Sequence, residues 1–179
     1  MSQGNPDIRQ QVEASRGPLK KLQLLLPGLR GYRKLEDIRV SDEFLRNQVA
    51  NKLDAVKGSL EQLRKQVAAS NDLTNLTTVG ALISQIQGLG GEVRHAQQGY
   101  SGWVAPIAIN EEKLNKLYEY DYAFVSSVFQ LAETAGKLSY DASSPNSIQA
   151  SAAQLSRTLA DIKQKWKTRM EAIEGIAVG

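Results

Sequence analysis

Residues 110–138 read NEEKLNKLYEYDYAFVSSVFQLAETAGKL. Leu114, Leu117, Val125, Val128, Leu131, Ala135 and Leu138 return with the period of a helix and share one of its faces. A helix with one apolar stripe must bury that stripe against other elements, so the reading points to packed helices. Asp121 occupies a position where the stripe calls for an apolar side chain, and Tyr118, Tyr120 and Tyr122 flank it. Asn110 suits the cap of this helix, and Glu111 and Glu112 suit its positive end.

The same rhythm extends outward in both directions. Leu35, Ile38, Leu45, Val49, Leu53, Val56, Leu60, Leu63 and Val67 predict a long helix over residues 32–70. Asp42 interrupts its stripe, and Ser41-Asp42-Glu43 could start a new helix, so a break near residue 41 is expected. Ser70-Asn71-Asp72 reads as a turn and cap. The next helix, residues 73–97, has the stripe Leu73, Leu76, Val79, Ile83, Ile86, Leu89 and Val93. Gly88, Gly90 and Gly91 inside it predict a close helix crossing or a local break. Residues 97–110, QQGYSGWVAPIAIN, are too apolar for a solvated connection and predict a loop packed over one bundle end. Ser144-Pro145 opens the last helix, with Ile148, Ala152, Leu155, Leu159, Ile162, Trp166, Met170 and Ile173 on its face and Gly175 at its end. Before all of these, Ile8 and Val12 allow a turn or two of helix, and Pro18 opens a short leucine-rich helix closed by Pro27-Gly28.

The expected fold is therefore all-α: an antiparallel four-helix bundle of long helices, residues 31–179, with an N-terminal accessory segment, residues 1–30. A length of 179 residues supports one substantial core, and 41% hydrophobic with 23% charged residues is a globular balance. No run of 18 apolar residues is present, and the N-terminus lacks the apolar stretch of a signal peptide. The absence of cysteine removes disulfides, thiolate metal sites and cysteine nucleophiles, and a cytoplasmic location is the expectation.

The net charge of +3 conceals a local excess. Residues 16–34, RGPLKKLQLLLPGLRGYRK, hold Arg16, Lys20, Lys21, Arg30, Arg33 and Lys34 and no acid. One short segment of this kind attracts an acidic partner or an anionic membrane surface, whereas nucleic-acid binding calls for a broader basic face. Its leucines predict a cap on the bundle end, with an interfacial membrane or partner contact as the alternative.

No phosphate-binding loop, zinc-protease or serine-hydrolase motif occurs, and His95 is the lone histidine, too few for a bundle-type di-metal site. No cofactor is expected. What rises above background is a set of polar groups near one bundle end: Asp42, Arg46, Arg94, His95, Tyr118 and Asp121, with Arg39 one turn before Asp42. A carboxylate on an apolar stripe needs a cationic or hydroxyl partner, so this set is read as a network fixing helix register. The alternative is a small-molecule or metal-binding enzyme centred on Asp121, with Asp42 and Glu119 as further oxygen donors.

Two stretches carry a family likeness. PGLRGYRKLEDIRVSDEFLR, residues 27–46, and EVRHAQQGYSGWVAPIAINEEKLNKLYEYD, residues 92–121, resemble an uncharacterised family of bacterial and archaeal helical-bundle proteins. The shared positions are Gly31, Tyr32, Asp42, Leu45 and Arg46, then Gly99, Tyr100, Ser101, Gly102, Leu117, Tyr118, Glu119 and Asp121. Where the family continues its Gly-Tyr with an arginine-rich run, this chain has Arg33, Lys34, Leu35 and Glu36, a weaker charge. The resemblance implies no activity; it implies a connection with stomatin-like membrane-scaffold proteins. Together these readings give a non-enzymatic interaction or scaffold protein with a protein partner, peripheral to a membrane through residues 16–34.

Overall fold

The computed structural model describes residues 17–29, 31, 35–96 and 111–178; at 35–39, 111 and 176–178 it describes the backbone alone. Five helices follow one another: α1 Pro18–Leu25, α2 Leu35–Ala69, α3 Leu73–His95, α4 Glu111–Gly136 and α5 Asn146–Val178. No strand occurs among the described residues. The expected turns at residues 7–15 and the expected packed loop at 97–110 lie outside them, as do Arg16, Arg30, Tyr32, Arg33 and Lys34.

Each long helix buries most of the described part of the stripe its sequence announces. α2 buries Leu45, Val49, Leu53, Val56, Leu60, Leu63 and Val67, and all of these but Val67 belong to one continuous hydrophobic cluster. α2 packs on α3 and α4, and α5 packs on the same two helices, so the fold is a helical bundle around a shared core. Burying one such leucine removes enough apolar surface from water to contribute about 1.5–3 kcal/mol, and the cluster repeats that gain many times. α4 adds two residues that the stripe did not include, Tyr118 and Phe124. The Phe124 ring packs on Trp166 of α5 with centroids 5.2 Å apart.

α2 does not break at residue 41. It continues through Ser41 and Asp42 as one helix, about 52 Å long at 1.5 Å per residue. Both side chains are buried, and the Asp42 carboxylate is held by Arg169 of α5 and by Arg46 of its own helix, so it does not cap a new one. The turn at 70–72 is as expected: Asn71 adopts φ 56°, and Asp72 Oδ1 accepts the Asn75 N–H at 3.0 Å. Of the three glycines in α3, Gly90 marks the close crossing, where an added Cβ would lie 3.7 Å from Leu53 Cβ. α3 is unbroken there, and space is open at Gly88 and Gly91.

Leu73 departs from its predicted place in the core, with 73% of its surface exposed. It is the first residue after the cap, before α3 has descended between its neighbours. α1 reaches the bundle through α4, and Leu22, Leu26 and Leu29 join the same cluster as the long helices. Gly28 makes the turn between them with φ +97°, a conformation that glycine enters without a Cβ penalty.

Candidate functional site

The polar groups on the stripes meet where α2 and α4 begin and α3 and α5 end. Arg169 of α5 lies at the centre, with none of its surface exposed. Its Nη2 donates to Asp42 Oδ1 of α2 at 2.6 Å, and its Nε donates to Asp121 Oδ1 of α4 at 2.5 Å. Arg46, one turn after Asp42, donates from Nε to Asp42 Oδ2 at 2.9 Å. Its Nη1 donates to the carbonyls of Arg94 at 3.2 Å and Ala96 at 3.1 Å. Those carbonyls belong to the end of α3, where the helix has no intrahelical donors left and its dipole favours a cation. Two arginines and two aspartates therefore fasten all four long helices, with formal charges that cancel.

Burial determines how strong this arrangement is. Asp42, Arg46, Asp121 and Arg169 are all buried, so water screens none of these pairs well. Taking four charges out of water is expensive, and only multiple charge-assisted hydrogen bonds in good geometry offset it. Asp42 is bonded on both carboxylate oxygens, and Arg46 reaches two helices. The Arg169 guanidinium also sits over the Trp166 ring, 5.4 Å from its centroid.

Of the residues singled out in the sequence, Asp42, Arg46 and Asp121 come together. Tyr118 is buried nearby in the core, and Gly31 approaches its hydroxyl, 3.7 Å from where a Cβ would be. The Arg94 side chain points elsewhere, giving Nη2 to Asp54 Oδ2 at 2.7 Å and Asn51 Oδ1 at 3.3 Å on the surface of α2. His95 and Glu119 are exposed. The side chain of Arg39 lies outside the described residues. Among the described residues no group of three or more His, Cys, Asp or Glu is arranged to hold a metal ion.

Arg169 escaped the sequence reading because Met170 stood beside it and fitted the stripe by hydrophobicity. The positions Ile162, Trp166, Arg169 and Ile173 keep the same rhythm. The usable signal was electrical: two stripe carboxylates require a second cation on a stripe at the same bundle level. Three surface grooves open between α3 and α5, α2 and α4, and α2 and α3, and none of these three is lined by a member of the cluster.

A second polar junction closes the opposite end of the bundle. Asn75 donates from Nδ2 to Asp72 Oδ2 at 2.7 Å and to the Pro145 carbonyl at 3.0 Å. Tyr140 donates its hydroxyl to Asp72 Oδ2 at 3.1 Å. The Asn75 backbone N–H, then its side chain, hold the Asp72 carboxyl below its ordinary value of 3.8. A depressed carboxyl pKa stabilises the fold above the unfolded value, and this is lost as pH falls through the folded one. The expected result is that Asp72→Asn melts lower than wild type at about pH 7 and that the gap closes as both approach about pH 3. Asp141, held low by Ser143, and Glu133, held low by Lys137, remain in both proteins, so the difference isolates Asp72. A gap independent of pH in calorimetric scans would refute the assignment.

No family model, no curated protein and no solved structure matches this chain.

Proposed function

We propose that the chain is a non-enzymatic interaction or scaffold protein. In this reading α2–α5 form an antiparallel four-helix bundle, α1 is its accessory, and the basic segment 16–34 meets an acidic partner. The observation that carries it is the engagement of the cluster's reactive groups: both buried carboxylates are bonded to Arg169, and those two bonds link α5 to α2 and to α4. Groups held this way serve as fasteners, while catalysis asks for a cavity in which a substrate meets them.

The state of α1 narrows how residues 16–34 would bind. Leu22, Leu26 and Leu29 are in the core, so the outward contact is mainly electrostatic, with exposed Lys20, half-buried Lys21 and exposed Leu24. Electrostatic adhesion of one basic segment to an anionic surface is weak, reversible and sensitive to salt. This fits a cytoplasmic protein working beside a membrane scaffold of the stomatin-like kind. The expected result in vesicle flotation is binding to anionic vesicles that neutral vesicles do not support, lost at high salt and reduced in Lys20→Gln/Lys21→Gln. Equal, negligible binding to both vesicle types would remove the membrane contact from the reading.

A further inference from the structure

Among the described residues the large hydrophobic side chains that stay exposed are Leu24, Val40, Leu73 and Tyr120. Two of them, Leu24 and Val40, lie on different helices yet come to one place. Leu24 is two residues from buried Leu22 and Leu26, which turns it to the outer face of α1. Lys20 and Lys21, four and three residues before it, share that face; Lys20 is exposed and Lys21 half-buried. α1 then runs into the exposed pair Pro27-Gly28, and a Cβ at Gly28 would lie 3.6 Å from Cζ of the half-buried Phe44 ring. A long side chain on a helix leans toward the helix N-terminus, so that ring reaches back over the turn of α2 that holds Val40. Leu24, Pro27 and Val40, all open to solvent, therefore gather around the turn that ends α1. The two lysines stand on the α1 side of this patch, and exposed Glu43, three residues after Val40, marks its limit on α2.

We propose that this patch is a shallow insertion surface for an anionic lipid bilayer, with Leu24 and Val40 entering the acyl boundary and Lys20 and Lys21 meeting lipid phosphates. It rests on the reading that residues 16–34 meet an anionic surface, and it adds an apolar footing and a direction. The charges favour lipid: ammonium groups beside apolar tips match the order of a bilayer surface, phosphate outside and hydrocarbon beneath. The shape does so too. The patch is the outer side of a helix and its turn, and none of the three surface grooves is lined by its residues, so it suits a broad surface better than an extended peptide. One basic segment alone binds weakly, and apolar insertion supplies the second signal that steadier anchoring requires. Phe44 follows Asp42 by two residues, so the patch belongs to the bundle end that holds Arg169 and its partners. Bound this way, that end faces the lipid, and Leu73, at the start of α3, faces away from it.

The chain has no cysteine, so an environment-sensitive dye can be placed at one site at a time. Leu24→Cys, Val40→Cys and Leu73→Cys, all at exposed positions, are labelled in the full chain with nitrobenzoxadiazole and mixed with vesicles of phosphatidylserine and phosphatidylcholine. The expected result is emission shifted to the blue at positions 24 and 40 and unchanged at 73, with pure phosphatidylcholine vesicles shifting none of them. Leu24→Ser/Val40→Ser, which keeps both lysines, should weaken binding to the anionic vesicles about tenfold. Flotation with anionic vesicles but no blue shift at 24 and 40 would leave the electrostatic contact standing and overturn the insertion. An equal shift at 73 would overturn it as well, because binding would then have no preferred end. A shift with soluble polyglutamate and none with vesicles would give the patch to an acidic protein instead. No vesicle binding at all would remove both the membrane contact and the insertion.

Discussion

Replacing Arg169 by methionine should destabilise the protein by about 3–5 kcal/mol, the range for breaking a buried ion pair from one side. The substitution keeps an unbranched, fairly bulky side chain beside Trp166, so little of the loss comes from an empty space. What it removes is the cation bonded to both Asp42 and Asp121, leaving two carboxylates in a buried setting short of positive charge. For a chain of this size the melting temperature should fall by roughly 10 °C or more. The decisive comparison is Arg169→Met combined with Asp42→Asn and Asp121→Asn. The triple variant should recover a substantial part of the loss, because the uncompensated charges are gone, although amide groups still need partners. Urea denaturation with a single-variant loss under about 1 kcal/mol would show that the cluster does not fasten the bundle. Asp121→Asn alone should lie between these extremes, since Arg169 retains Asp42.

Trp166→Ala should cost a similar amount, about 3–5 kcal/mol, by a different route. Trp166 is buried at the α4–α5 contact, with Phe124 packed on its face and Arg169 beside it. Truncation removes a large apolar surface and leaves a cavity that rigid helices close only partly. It also removes one wall of the Arg169 niche, so Trp166→Ala and Arg169→Met should be non-additive. Trp166→Phe keeps an aromatic wall and should lose much less. Equal losses for alanine and phenylalanine would mean that packing against Phe124 contributes little.

The helices were legible in the sequence because each long segment keeps its apolar residues on one face, and burying such a face is favourable wherever it lands. Leu155, Leu159 and Ile162 of α5 are buried as their spacing requires, and Asp72 caps α3 as a residue of its type does. The site was only half legible. Asp42, Arg46 and Asp121 could be named because they break or border an apolar rhythm, which is a local property of the chain. Which cation answers Asp121 is a relation between residues 48 positions apart, and it depends on how α4 and α5 are set against each other. Arg94 illustrates the reverse error: it sits at the right bundle end, yet the turn of α3 directs its side chain to Asp54 on the surface.

By itself, then, the chain determined its helical class, its stripes, its turn at 70–72 and the presence of ionisable groups where none would ordinarily be buried. Only the tertiary structure decided that Arg169 lies inside while Met170 is half outside, that α2 passes through residue 41 without a break, and that Leu73 faces out. The physical reason is that periodicity assigns a face to within a residue or so. Whether an arginine at the border of that face points inward is settled by the charges waiting on the neighbouring helices.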